Sequence, residues 1–337
     1  MTRVRVAVDC GGTSTRAVLL DGDRVRGRLD GPATLSGYLE PARIAETMRH
    51  MLGAIEDDYV RAGLNGEPVT IAITAAGFVD SLRREFERGA RALADEAFGG
   101  CVDAVVVVND AVGLLLGHQA DGVVIAGTGS SVLLRDRDGS VTQSGGHDWV
   151  AADDGSAFWV GLEGVRRVAR DVDNGVESAL RQAFRQTYGV DDARIVAMFR
   201  ELAVAGPGMK ADIARFAAGV CATAAAGDEA ATGIVHRQGD ALADLVTAGL
   251  DRTSVRSVVD RPIRVVECGG MFGDPFYRNR FEERVQALAA RSGCRIDWPA
   301  VADGLDAATA LASAVVREDA ATRWAGLGEC RPLVVWA

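Results

Sequence analysis

Residues 9–15 read Asp-Cys-Gly-Gly-Thr-Ser-Thr, setting an acid, two glycines and three hydroxyl side chains between the apolar stretches 6–8 and 17–20. Gly11 and Gly12 allow a tight turn and close backbone approach. The N–H groups and hydroxyls of such a turn can wrap a phosphate, with Asp9 facing the accompanying metal. An ordinary β-hairpin carries the same Gly-Gly turn. The distinction comes from repetition. Residues 123–139 return to the pattern, with Gly127-Thr128-Gly129-Ser130 between two apolar runs, and a third apolar run, Ile263 to Val266, ends in Glu267-Cys268-Gly269-Gly270-Met271-Phe272. Internal self-similarity outweighs any single short motif, and these three segments predict a duplicated nucleotide cleft.

Other nucleotide sites are excluded on chemistry. A Walker-type loop needs a lysine after its last glycine, and the single lysine of the chain, Lys210, lies in no such loop. The Gly-x-Gly-x-x-Gly dinucleotide fingerprint is absent. A net charge of −10 over 337 residues leaves no basic surplus for a nucleic-acid backbone. The six cysteines are scattered without a C-x-x-C pair, and the four histidines show no i,i+4 metal pair. No apolar run is long enough for a bilayer, and the first strand begins within a few residues of Met1, leaving no room for a leader. The expectation is a cytoplasmic protein with no membrane or nucleic-acid partner.

These segments need a scaffold. The patterning predicts a three-stranded meander over 4–30, a helix over 41–63 and a strand over 69–74. A helix over 82–97, a strand over 104–108 and a short helix over 111–118 follow. The second hairpin opens a new domain near 120, continued by a polar glycine-rich loop at 142–157 and helices from 156 to 251. Ala217 to Ala226 suits close helix packing. Then come a strand at 263–267, a helix at 276–291, a short strand at 294–297 and a last helix from 303 to 317. Strand–helix alternation implies sheets covered by helices. Domains are expected at 1–119, completed by a helix at about 304–318, and at 120–303. Asp110 follows Val105-Val106-Val107-Val108-Asn109, at a strand's carboxyl end where ligands gather in open α/β sheets. It suits a general base that takes a hydroxyl proton, or an N-cap of the helix that follows. The loop 143–159 holds acids, a histidine and tryptophans, which suits a sugar grip or a solvated loop with Ser156 as N-cap.

The two hairpins, the 263–272 segment and their order resemble the sugar kinase, heat-shock-protein-70 and actin superfamily. Within it the chain resembles the branch of N-acetylglucosamine kinases, glucosamine kinases and BadF/BadG/BcrA/BcrD-type ATPases, over nearly its whole length. The resemblance implies two actin-like, ribonuclease-H-like α/β domains with a duplicated ATPase core and an interdomain cleft. Gly11, Gly12, Thr13 and Thr15 would form the first phosphate loop, with Gly127, Thr128, Gly129 and Ser130 in the second. Gly269, Gly270 and Met271 would border the nucleoside, and Asp9 would attend Mg2+ through water. Asp110 matches the family's catalytic aspartate at a strand–Asn-Asp junction. Asp153-Asp154-Gly155-Ser156 resembles the family's Asp-Glu-Gly-Ser, so Asp153 would contact sugar hydroxyls, alongside Asn109, Gly145, Asp148 and Thr34.

Two departures from the family pattern stand out. Gly146-His147-Asp148-Trp149 replaces Gly-Trp-Gly-His, and Thr34 stands where asparagine is common. A carboxylate near the sugar's 2-position attracts an ammonium and gains little from an acetamide, unless Asp148 pairs with an arginine instead. The expected activity is ATP- and Mg2+-dependent phosphorylation of glucosamine at its 6-hydroxyl, with N-acetylglucosamine as the alternative acceptor. A homodimer is a family expectation. From another class comes a BadF-type activator ATPase of a dehydratase or reductase, for which Cys101 and Cys221 would be the iron–sulfur candidates. A sugar-sensing repressor would add a DNA-binding segment before the first strand and a zinc-binding cysteine cluster.

Overall fold

Valine builds the centre of the first sheet. In the computed structural model, which describes residues 4–35, 39–136, 138–253, 261–291, 293–315 and 324–336, strands β1 (Val4–Cys10), β4 (Val69–Ala75) and β5 (Val102–Val108) run parallel. Val105 to Val108 are all fully buried. Near-continuous β-branched runs of this kind mark parallel strands covered on both faces. β2 (Ser14–Asp21) and β3 (Arg24–Pro32) add antiparallel to β1. β3 is an edge, and its outward arginines 24, 26 and 28 guard it against further pairing.

The chain divides into two compact units. The first holds residues 1–121, 135–141 and 302–337. Its helices are α1 (Ile44–Met51), α2 (Gly53–Arg61), α3 (Arg83–Glu96) and α4 (Asp110–Gly117). The second holds residues 122–134 and 142–301. It contains β6 (Gly122–Ala126), β7 (Ser130–Arg135), β8 (Val141–Gly145), and the helices α5 (Ala157–Asp173), α6 (Ala179–Tyr188), α7 (Ile195–Ala203), α8 (Met209–Ala214), α9 (Phe216–Ala225) and α10 (Glu229–Arg252). β9 (Ile263–Cys268), α11 (Pro275–Arg291) and β10 (Ile296–Asp297) follow. The chain then returns to the first unit with α12 (Gly304–Val315) and β11 (Leu333–Trp336).

The first sheet has the order β11-β5-β4-β1-β2-β3 and the second β10-β9-β6-β7-β8. Without β11 the two orders correspond strand for strand. In both, the first hairpin is antiparallel and the next strand joins it in parallel. The repetition in sequence is thus a repetition of topology. In the second unit α9, rich in small residues, packs against α5, α6 and α10, and Phe184 and Phe216 meet edge-on with ring centroids 5.3 Å apart.

Several elements differ from the sequence expectation. The helix over 41–63 is a 3-10 turn at Pro41–Arg43 followed by α1 and α2, which break at Leu52. The loop expected from 142 begins as strand β8. The expected strand over 294–297 is confined to β10, and residues 316–318 lie outside the described residues. β11 was not expected, and the 135–141 turn groups with the first unit.

Candidate active site

Parallel register collects the first set of residues at one edge of the first sheet. Asp9 lies beside Thr74, and Thr74 beside Val108, so the ends of β1, β4 and β5 share a row. The Gly11–Thr13 turn leaves β1 there, closed by the Gly11 N–H donating to the Ser14 carbonyl at 3.0 Å. Gly12 and Thr13 are exposed at its tip. Asn109 and Asp110 leave β5 at the same edge. Asn109 is the N-cap of α4, its side-chain oxygen accepting from the Ala111 N–H at 3.1 Å, while its amide donates to the Phe78 carbonyl at 3.3 Å. Asp110 is therefore the first helical residue, and its carboxylate also accepts from the Ala111 N–H, at 2.8 Å. Burial lifts the Asp110 carboxyl to about 6. The Ala111 N–H works against the shift and the charge of Asp9 adds to it.

Asp9 is held from two sides. Its Oδ2 accepts from Arg16 at 2.6 Å and its Oδ1 from the Thr74 hydroxyl at 3.1 Å. Arg16 also reaches Asp303 at 2.7 Å. The Asp303 bond, ahead of the opposing effect of burial and the further bond to Asp9, raises the Arg16 guanidinium above its already high ordinary value. Burial acts to raise the Asp303 carboxyl, but Arg16 and the Leu305 and Asp306 amides outweigh it and hold the group below its usual range. Arg16 faces Asp9 directly in the hairpin register, a cross-strand pairing that the sequence reading overlooked.

The second unit gathers its own set around Gly127–Gly129. The Gly127 N–H donates to the Gly129 carbonyl, and the first amide of α5, Ala157, donates to the Gly127 carbonyl at 2.8 Å. Ser156 caps that helix. Gly269, at the end of β9, has φ +112°, and a Cβ there would lie 2.5 Å from the Ala126 carbonyl carbon and oxygen and 2.8 Å from the Gly127 nitrogen. Only glycine lets β9 end this close to the turn. The same end of β9 is tied to α11 by the fully buried Glu267, 2.7 Å from Arg278. Burial first, then Glu282, raise the Glu267 carboxyl to about 7 against the pull of Arg278.

Several expected site residues turn inward. Thr15 is 1% exposed. Its hydroxyl meets the Thr34 hydroxyl at 2.8 Å and accepts from the Thr34 N–H at 3.1 Å, so the pair fastens β2 to the segment after β3 and neither hydroxyl projects from the turn. Alternation along β2 is the reason: Ser14 points out and Thr15 in. Ser130 is buried and donates to the Asp154 carbonyl at 2.7 Å. Asn109, expected at the sugar, spends its amide on the helix cap and the Phe78 carbonyl. Gly145 is buried with φ +72°, and Met271 lies in the second unit's core. Asp153, expected to hold sugar hydroxyls, is buried and instead accepts from the Ser130 N–H at 3.1 Å and from Lys210 at 2.6 Å. Asp148 pairs with that same lysine at 2.8 Å.

Thr15→Val is accordingly expected to cost stability of about 1–2 kcal/mol, the range for a buried hydroxyl whose partner is left unsatisfied, with the KM for ATP changed less than twofold. Urea unfolding and ATP titration check this. A large rise in that KM would return the Thr15 hydroxyl to the phosphates.

The family model for the BadF/BadG/BcrA/BcrD ATPase family matches residues 6–298. The chain belongs to the BadF/BadG/BcrA/BcrD ATPase family. Solved structures agree on its actin-like fold. A candidate N-acetylglucosamine kinase from Chromobacterium violaceum is 24% identical, with 92% of this chain and 99% of the other covered and a TM-score of 0.65. One from Porphyromonas gingivalis is 16% identical, covering 91% and 98%, with a TM-score of 0.64. A candidate N-acetylmannosamine kinase from Listeria monocytogenes is 13% identical, covering 93% and 100%, with a TM-score of 0.56.

The surroundings of Asp9 bear on how a divalent ion would be met there. Mg2+ keeps several waters and takes few protein ligands. Each Asp9 oxygen already has one protein donor. Beside it Gly304 carries no side chain, and a Cβ there would lie 2.5 Å from Asp9 Oδ1. The arrangement fits contact through a water molecule and does not fit direct ligation by Oδ2 while Arg16 is in place. No helix among the described residues is long and apolar enough to cross a membrane.

Proposed function

We propose that this member of the BadF/BadG/BcrA/BcrD ATPase family is an ATP-dependent sugar kinase that phosphorylates the 6-hydroxyl of an amino sugar, free or N-acylated. The observation that carries this reading is the shared sheet edge of Asp110, Asp9 and the Gly11–Thr13 turn. Phosphoryl transfer asks a protein mainly for positioning and electrostatic stabilisation. Asp110 orients the acceptor hydroxyl and takes its proton as the oxygen bonds to phosphorus. With its carboxyl at about 6, it is mostly ionised at neutral pH yet basic enough to accept that proton. In the first unit the amides of Gly12 and Thr13, with the Thr13 hydroxyl, bind phosphate oxygens; the turn of the second unit carries a like set in the amides of Thr128 and Gly129 and the Thr128 hydroxyl. Asp9 would meet the metal through its bound water, and Arg16 keeps the excess negative charge there low. Mg2+, when bound, supplies charge neutralisation on the phosphates.

Two further observations favour this reading. Two of the fold relatives are candidate N-acetylglucosamine kinases. The activator alternative needs accessible thiolates; of its two candidates Cys101 is part-exposed, whereas Cys221 is buried in the second unit's core and burial pushes its thiol up to about 12, so the two do not make an accessible pair.

The test is ADP release with glucosamine, N-acetylglucosamine, glucose and mannosamine. One of the hexosamines is expected to stimulate turnover well above the sugar-free rate, and chelation of Mg2+ to lower it by at least ~100-fold, since the metal carries several kcal/mol of charge stabilisation. Turnover indifferent to every sugar, or undiminished by chelator, would remove the kinase reading.

A further inference from the structure

All but one of the 37 Lys and Arg residues are arginine. The exception, Lys210, is the second residue of α8, and its ammonium lies between two carboxylates of the loop that follows β8. Nζ is 2.8 Å from Asp148 Oδ1 and 2.6 Å from Asp153 Oδ2. The Asp153 side chain is 3% exposed and that of Lys210 15%, whereas that of Asp148 is 43% exposed. Asp148 and Asp153 both adopt left-handed backbone, with φ of 64° and 69°. Side chains other than glycine rarely adopt this region, and here it turns two carboxylates five residues apart onto one cation. The space is small. A Cβ on Gly129 would lie 3.1 Å from both Asp153 oxygens and 3.2 Å from the lysine nitrogen. A compact ammonium fits there, and a planar guanidinium fork needs more room.

We propose that Lys210 sets the acceptor preference: it supplies from within the protein the positive charge that Asp148 would otherwise seek from a sugar ammonium, so the site favours an acceptor whose 2-substituent is uncharged, as in an N-acylated hexosamine. The inference rests on the proposed sugar kinase activity and on the 145–153 loop facing the sugar. Lys210 is a positioning and selectivity residue. It is assigned no contact with the phosphoryl group or the acceptor hydroxyl, and it acts through the charge of Asp148. A protonated amino sugar would meet a carboxylate already shared with Lys210 and a second ammonium close by, and like charges at such range disfavour binding.

The experiment measures kcat and KM for N-acetylglucosamine and glucosamine in the intact protein and in Lys210→Met, across pH from about 6 to about 9, a span that includes loss of the sugar amine's proton. Taking the ratio of the two sugars cancels the titration of Asp110. In the unaltered protein, kcat/KM is expected to favour the N-acylated sugar at neutral pH. The KM for glucosamine should fall as its amine loses its proton, while that for N-acetylglucosamine stays level. Lys210→Met should shift the ratio at least tenfold towards glucosamine at neutral pH, through KM and not kcat, and the shift should vanish at the alkaline end. Adding Asp148→Asn to Lys210→Met should abolish it. A glucosamine KM that rises as the amine deprotonates would mean that the protein binds the ammonium directly and would overturn the proposal. That measurement needs no variant, so it decides the matter even if Lys210→Met does not fold. A ratio unmoved in a folded Lys210→Met protein would overturn it as well. If no sugar is phosphorylated by the unaltered protein, the kinase reading fails first, an outcome distinct from either.

Discussion

Asp110→Asn is expected to lose at least ~10³-fold in kcat while becoming more stable at neutral pH. General-base catalysis by a positioned carboxylate is worth roughly 10²–10⁴-fold, and asparagine cannot take the proton. The stability gain follows from the raised carboxyl, about 6 against an ordinary 3.8. The folded protein holds this proton more tightly than the unfolded chain does, so ionising Asp110 costs stability. The cost is complete above pH about 6, shrinks as pH falls towards the unfolded value and is absent below it. Discounted for the partial solvent access of Asp110, the gain in Asp110→Asn is about 1–2 kcal/mol at pH about 7.5, disappearing below pH about 4. In the unaltered protein kcat/KM should fall about tenfold per pH unit below about 6. Denaturant unfolding at two pH values and sugar-dependent ADP release check both halves. Near-normal turnover would remove Asp110 as base, and a variant less stable at neutral pH would contradict the account of its burial.

Gly269→Ala is expected to produce a large structural effect from a single methyl group. A left-handed conformation imposed on a non-glycine residue costs about 1–3 kcal/mol, and here the added carbon also meets backbone atoms of Ala126 and Gly127, which cannot rotate away. A total of ~3 kcal/mol or more lowers Tm by roughly 4 °C for a chain of 337 residues unfolding as one unit. Relief requires β9 to draw back from the Gly127–Gly129 turn, so nucleotide affinity should fall at least tenfold. Gly270→Ala is the control. Its Cβ would meet nothing within 4 Å and its φ lies outside the left-handed range, so its stability should change by less than about 0.5 kcal/mol. Thermal unfolding and nucleotide titration of both variants make the comparison. Equal stability of the two would mean that β9 does not need to lie against the turn.

The glycine turns and Asp110 were legible because each is a local device: a strand end, a turn and a chemistry confined to a few residues. The fate of a hydroxyl was less so. Thr13 and Thr15 look equivalent in the sequence, yet one is at the turn tip and the other faces inward from β2. Asp9 and Arg16 could have been paired from the hairpin alone, since a short turn fixes which residues face each other. Lys210 could not, because its partners lie 57 and 62 residues earlier on a different element. The one available hint was its isolation among arginines. β11 escaped notice because four residues carry too little pattern, and it becomes a strand by pairing with β5, more than two hundred residues earlier.

The position of β11 and α12 in the chain has a consequence on the ribosome. β5 leaves the exit tunnel with its valines ready to pair, but its antiparallel neighbour is made more than two hundred residues later. The apolar face of Ala7, Val18 and Leu20 likewise waits for Ala308 on α12. At elongation rates of ~5–20 residues per second, that interval is roughly ten seconds to most of a minute. For all of it the nascent first unit presents an unpaired valine strand, the kind of edge that recruits other chains. Holding chaperones should therefore associate with stalled nascent chains that end before β11 and release those long enough to complete the sheet.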